Sequence, residues 1–228
     1  MVLNLPYLLL LLPASLAWYA QLRVRAAYER YGRVANSRGI LGADVAEALL
    51  AHLGLQQRVS IYLTPGYLND HYDTRDKALY LTEGIAASRS VTAMGIVAHE
   101  VLHAQQDAEG YPLMRLRSWL GERLGNLPRA ASWAILVGLL FHWTLLVIIG
   151  GVALLGTMLL VLTALPVERN ASARALATLQ ETGLAAPADL EGARAVLRSA
   201  ALTYVAGLVQ YLGRLAFFGM LILVALGY

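Results

Sequence analysis

Two histidines and a glutamate near the middle of the chain have the residue types and the spacing of a metal-dependent hydrolase site. His99 and His103 are four residues apart, so in a helix both imidazoles project from one face and can reach one Zn²⁺ at about 2.0–2.1 Å. Glu100 lies one position on, close enough to act as general base on a zinc-activated water without ligating the metal. This HExxH arrangement predicts one zinc ion per chain. The alternative is a buried helix with incidental histidines, for which two imidazoles and a carboxylate are poor core residues.

A catalytic zinc site takes a third protein ligand and leaves one position for water. The metzincin continuation HxxGxxH does not occur, because Gln106 and Glu109 stand where it needs glycine and histidine. Glu168 is the better candidate for the third ligand, since it is the only carboxylate between Glu122 and Glu181. Its alternative role is that of an acid near a helix N-terminus, where the helix dipole favours negative charge.

Composition and charge placement predict a membrane protein. Of the 228 residues, 58% are hydrophobic and only 14% charged, against about 45–50% and about 25% in soluble domains. Residues 1–20 and 130–167 carry no charge, and only Arg214 follows Arg198. We therefore predict a multi-pass α-helical membrane protein with about four transmembrane helices. These are an N-terminal anchor over 1–20, a hairpin over 131–167 that turns at Gly150-Gly151, and a C-terminal helix over 200–228.

Two charged blocks separate these apolar segments, and both are predicted to be cytoplasmic. The region 21–130 contains the HExxH motif and predicts a small α/β zincin-like catalytic part, with strands over 59–63 and 78–82 and a helix from Ser88 or Ser90 to Gln106. The segment 168–199 contains Glu168 and predicts helices broken at Gly183 and Pro187. Nearly all the arginines lie in these blocks, so the positive-inside rule places both in the cytoplasm.

Several function classes are excluded or disfavoured by the same sequence. A net charge of +3 is too small to indicate nucleic-acid binding. The absence of cysteine rules out disulfides and thiolate ligands, and structural zinc sites usually fill all four positions with Cys or His. A catalytic centre is therefore favoured over the alternative, a non-catalytic zinc-binding membrane scaffold or assembly factor. An intramembrane protease is disfavoured because charged residues flank the motif closely, namely Glu83, Arg89, Asp107 and Glu109.

Further stretches along the chain carry a resemblance to a known family. They are Asp70-His71-Tyr72-Asp73, Ala98-His99-Glu100-Val101-Leu102-His103-Ala104-Gln105, Leu165-Pro166-Val167-Glu168 and Ala171-Ser172. With them the chain resembles, over essentially its whole length, the YugP-type family of bacterial membrane-bound neutral zinc metallopeptidases. The resemblance implies His99 and His103 as zinc ligands, Glu100 as catalytic base and Glu168 as third ligand. It also implies a protein or peptide substrate and a place in the bacterial cytoplasmic membrane.

The chain departs from the family pattern at two positions and leaves one role open. Leu102 stands where members have glycine, and Asn170 where they tend to have aspartate. The ExxxD pattern of the broader Glu-zincins also fails, because the fourth residue after Glu168 is Ser172. Second-shell groups orient metal-binding histidines, and Asn170, Ser172 and Asp107 are the candidates for that role here.

The expected reaction is hydrolysis of a peptide bond at a site near the bilayer. His71 or Tyr72 is the candidate for contact with the substrate or the oxyanion, because the strand and turn before Ala78 could reach the zinc. The strand over 78–82 could itself pair with a substrate backbone. Glu168 follows the end of the predicted hairpin at Leu165 by a stretch that reaches only about 10 Å. A zinc ion held by Glu168 would therefore lie close to the membrane surface, where membrane-associated substrates are found.

Overall fold

The computed structural model describes residues 5–225, which fold into two compact units. The apolar unit comprises, within that range, residues up to 21, 116–165 and 202 onward, and the α/β unit comprises residues 22–115 and 166–201. In chain order the helices are α1 (Leu5–Gly32), α2 (Gly42–His52), α3 (Glu83–Ala86), α4 (Val91–Ala108), α5 (Pro112–Leu124), α6 (Leu127–Leu140), α7 (Thr144–Glu181) and α8 (Pro187–Ala225), and the strands are β1 (Ser60–Thr64), β2 (His71–Asp73) and β3 (Ala78–Thr82).

The α/β unit contains a three-stranded sheet in the order β1-β3-β2. β1 pairs with β3 in parallel and β2 pairs with β3 antiparallel. Two of the strands agree closely with the stretches predicted over 59–63 and 78–82. Because β3 is the central strand and both its edges are paired, the expectation that it accepts a substrate backbone is wrong. The open edges of the sheet belong to β1 and β2.

Helix α4 is the rigid element that carries the HExxH motif. It begins where predicted, with the Ser90 hydroxyl accepting a hydrogen bond from the backbone N–H of Ala93 at 3.1 Å. Its apolar face is fully buried, including Met94, Val101 and Leu102. Leu102 is thus a core residue that packs behind the motif. The 18-residue length of α4 places the motif well inside the helix rather than at a fraying end.

The C-terminal part of α7 completes the α/β unit. Four residues at a spacing of four are fully buried and form one stripe along the helix: Val167, Ala171, Ala175 and Leu179. The last three belong to the hydrophobic core of the unit. Helix α7 ends at Glu181, Gly183 adopts a positive φ of 64°, and α8 begins at Pro187. The breaks predicted at Gly183 and Pro187 are therefore present. Glu168 directly follows Val167, the first residue of the buried stripe, so the burial of the stripe fixes the position of the Glu168 side chain on α7.

The prediction of about four transmembrane helices is wrong. Within residues 5–225, two helices are long and apolar enough to cross a membrane, and they are α7 and the Pro187–Leu223 part of α8. Helix α6 has 14 residues, whereas a span needs about 20. The anchor predicted over 1–20 begins outside the described residues, and its remainder lies in α1, which is not one of the two candidate spans.

The hairpin predicted over 131–167 does not turn at Gly150-Gly151. It turns between α6 and α7 instead. Helix α6 ends at Leu140, and His142 adopts a positive φ of 54° in the short connection to α7. Gly150 and Gly151 lie inside α7. A Cβ atom on Gly150 would lie 2.8 Å from the carbonyl oxygen of Ala131 and 3.0 Å from the backbone nitrogen of Ile135. Gly150 thus allows α7 to pack closely against α6.

This packing can be tested by comparing Gly150→Val with Gly151→Val, since no atom lies within 4 Å of a Cβ on Gly151. We expect Gly150→Val to lower the free energy of unfolding by about 1–3 kcal/mol through overpacking, and Gly151→Val to change it by less than about 0.5 kcal/mol. Thermal unfolding of both variants in detergent, followed by circular dichroism, measures the difference. Equal melting temperatures for the two variants would contradict the close approach of α6 and α7.

Candidate metal centre

Three potential ligand atoms from α4 and α7 converge on one point. The Nε2 atoms of His99 and His103 lie 3.1 Å apart. Glu168 Oε2 lies 3.0 Å from Nε2 of His99 and 3.4 Å from Nε2 of His103. Ligands held at about 2.0–2.1 Å in a tetrahedral zinc site are about 3.3 Å from one another. The observed separations therefore match a set of zinc ligands, and this is the one such group found among the described residues.

The electrostatics of this group favour a bound cation. Glu168 is buried, which raises its pKa, but the hydrogen bonds and charges of His103 and His99 outweigh burial and hold that pKa below the ordinary glutamate value. Burial lowers the pKa of His103, while Glu168 and Glu100 raise it by more. A buried carboxylate that stays ionised, surrounded by two imidazoles and a second carboxyl group, attracts positive charge. Together with the ligand types, this fits zinc.

Each imidazole is held on its other ring nitrogen by a polar side chain. Ser172 Oγ lies 3.2 Å from Nδ1 of His99, and Gln106 Oε1 lies 2.9 Å from Nδ1 of His103. Asn170 contacts neither ring and instead accepts a hydrogen bond from the Gln106 amide at 2.9 Å. Of the residues predicted to orient the histidines, Ser172 is thus in direct contact with a histidine ring.

Gln106 was missed by the sequence analysis, which considered it only as a mismatch to the metzincin pattern. Two signals could have revealed it. A residue three positions after His103 lies on the same helical face, and a glutamine that faces a core is unusual unless its amide is hydrogen-bonded. Gln106 is completely buried, so its contact with His103 is shielded from water.

Asp107, the third residue predicted to orient a histidine, is hydrogen-bonded to residues of β2 and the turn after it instead. Its Oδ2 accepts hydrogen bonds from the Tyr72 hydroxyl at 2.7 Å and from Nζ of Lys77 at 2.6 Å. These bonds attach β2 and the turn after it to α4. The Tyr72 hydroxyl is therefore engaged with a carboxylate, which makes it a poor oxyanion donor.

The same attachment positions the carboxyl group of Glu100. The backbone N–H of Tyr72 donates to Oε2 of Glu100 at 3.0 Å. Burial raises the pKa of Glu100 above its ordinary value, and the charges of His99 and His103 oppose this only in part. A carboxylate with a raised pKa is a stronger base once ionised, as a general base near neutral pH requires.

His71, the other candidate for substrate or oxyanion contact, is not brought to the metal-ligand group. Neighbouring residues of a strand point to opposite faces of the sheet, and the Tyr72 hydroxyl reaches α4. The His71 ring is exposed on the other face, where it stacks on Tyr80 with 5.0 Å between ring centroids. Its Nδ1 lies 2.9 Å from the carbonyl oxygen of Asn69.

Comparison with known proteins agrees with this geometry. The family model described as "Putative neutral zinc metallopeptidase" matches residues 6–223. The chain belongs to this family. It is also 33% identical over 209 residues, 92% of each of the two chains, to a protein of Bacillus subtilis (strain 168) described as "Putative membrane protease YugP". No solved structure matches. The resemblance inferred from the sequence is thereby confirmed.

Metal binding by this member of the family can be tested one ligand at a time. We expect His99→Ala and His103→Ala to lose zinc, and Glu168→Ala to lower zinc affinity by at least about 10-fold because the site is left with two ligands. Glu181→Ala is the matched control, since Glu181 is an exposed carboxylate at the end of the same helix as Glu168. Metal analysis of the purified full-length variants checks this. Stoichiometric zinc in Glu168→Ala would place the third ligand elsewhere.

Proposed function

We propose that the chain is a membrane-bound zinc endopeptidase in which His99, His103 and Glu168 hold one Zn²⁺ and Glu100 is the general base. The observation that carries this proposal is the convergence of three ligand atoms, from residues up to 69 positions apart, beside the half-buried carboxyl group of Glu100 at the HExxH glutamate position. A structural zinc site would need a fourth protein ligand. Among the described residues, the ligand group contains only these three, which supports an open position for water.

In the proposed reaction Glu100 moves the proton. When bound, zinc supplies the Lewis acidity that makes water nucleophilic at neutral pH and polarises the scissile carbonyl. The Glu100 carboxylate accepts a proton from the attacking water as the C–O bond forms, and it delivers that proton to the amide nitrogen as the C–N bond breaks. The Tyr72 N–H fixes the carboxylate during both transfers through the 3.0 Å hydrogen bond to Oε2.

We propose that β2, rather than β3, is the strand beside which the substrate lies. β2 is an edge strand, and its Tyr72 N–H is directed to Glu100 and not into the ladder with β3. The open edge of β2 therefore faces the general base. A substrate in extended conformation can pair with such an edge through its backbone, which makes recognition largely independent of side chains.

The membrane placement of the site is part of the same proposal. Glu168 lies in α7, the helix whose apolar part is a candidate span, and three residues of helix after Leu165 rise only about 4.5 Å. Basic residues flank both candidate spans on this side: Arg169 and Arg174 in α7, and Arg194 and Arg198 in α8. The positive-inside rule therefore favours a cytoplasmic site at the cytoplasmic membrane, where membrane-associated protein segments are the available substrates.

The catalytic role of Glu100 is tested with Glu100→Gln. We expect this variant to keep its zinc but to lose about 10²–10⁴-fold in hydrolysis of casein in detergent, because glutamine cannot accept the proton. Glu47→Gln, at an exposed position of α2, is the control and should be unchanged. Chelator should abolish the activity of the parent chain. Zinc-dependent binding without any hydrolysis by the parent would favour the scaffold alternative instead.

The proposed orientation is tested by cysteine labelling, since the chain has no cysteine of its own. We expect Arg75→Cys and Glu181→Cys, both at exposed positions, to react with a membrane-impermeant maleimide only after the cells are opened. Labelling of Arg75→Cys from outside would reverse the orientation.

A further inference from the structure

The Gln106 amide links α4 and α7 through three hydrogen bonds. Its Oε1 lies 2.9 Å from Nδ1 of His103. Its Nε2 donates to the carbonyl oxygen of Val167 at 3.1 Å and to Oδ1 of Asn170 at 2.9 Å. The side chain is completely buried, so no water competes for these bonds. One amide thus contacts a metal-ligand histidine on one helix and the residue before the carboxylate ligand on the other.

The partners of this amide determine which way round it lies. The Val167 carbonyl oxygen can only accept a hydrogen bond, so the NH₂ end of Gln106 must face α7. The amide oxygen must then face His103, and because an amide oxygen can only accept, Nδ1 of His103 carries the proton. The Nε2 lone pair is left to face His99 and Glu168. The tautomer of His99 is less constrained, because the Ser172 hydroxyl beside its Nδ1 can either donate or accept a hydrogen bond.

We propose that Gln106 is the positioning residue of the zinc site, which sets the tautomer of His103 and holds the α4 ligands in register with Glu168 on α7. The inference rests on the zinc site of the proposed function but does not require peptidase activity.

Zinc affinity of the purified full-length chain, measured by competition with a chelator of known affinity, is the first test. We expect Gln106→Met to bind zinc about 10- to 100-fold more weakly. Gln106→Glu keeps an oxygen for the Nδ1 proton but loses the two bonds donated to Val167 and Asn170, so we expect it to lose clearly less zinc affinity than Gln106→Met, which loses all three bonds. Gln105→Met, at the neighbouring half-buried glutamine, is the matched control and should be unchanged.

A purely structural role for Gln106 predicts a different pattern. Loss of zinc affinity in Gln106→Glu as large as in Gln106→Met would overturn the proposal, because the oxygen facing His103 would then be irrelevant. Full affinity in Gln106→Met would overturn it as well.

The second test reads the tautomer in the parent chain itself. Ring nitrogen chemical shifts of ¹⁵N-histidine-labelled chain, freed of metal at a pH where His103 is neutral, report its tautomer, with His103→Ala used for assignment. We expect the Nδ1–H form. The Nε2–H form in the parent chain would overturn the proposal, whereas a chain with the Nδ1–H form that binds no zinc would overturn the proposed function and leave the Gln106 contact standing.

Discussion

The contact of the Glu168 carboxylate with two imidazoles is the interaction around which the α/β unit is built. Removing a carboxylate from water is unfavourable by several kcal/mol unless opposite charge and hydrogen bonds replace the water. Here the replacements come from α4, at 3.0 and 3.4 Å, and the imidazoles are in turn held by Gln106 and Ser172. In the part of the chain that the structure describes, no buried side-chain nitrogen or oxygen lacks a partner. The polar centre is thus complete within an apolar core.

The features that could be predicted from the sequence are those set by neighbours along the chain. Helical spacing alone brings His99 and His103 to one face, and the Ser90 cap marks the start of their helix. Alternation and turn residues were sufficient to locate two of the strands and the breaks at Gly183 and Pro187. Glu168 could be singled out because so few carboxylates occur in that part of the chain.

The features that could not be predicted depend on residues far apart in sequence. The sequence predicted a turn at Gly150. Glycine is needed there because a side chain would collide with the backbone of Ala131 and Ile135 on another helix. An apolar run reveals composition but not where its helices end, so the number of spans was wrong. Gln106 acquires its role only through Val167 and Asn170, which are 61 and 64 residues away. No local pattern encodes such a pairing.

The distance between the ligands along the chain also governs when the centre can form. Glu168 is synthesised 69 residues after His99, and α5, α6 and the apolar part of α7 come between them. Translation at about 5–20 residues per second therefore separates the histidines from the carboxylate by several seconds. During that interval the nascent chain has two of the three proposed zinc ligands. In the proposed enzyme, hydrolysis can therefore begin only after the chain between the histidines and Glu168, with its apolar segments, has been made.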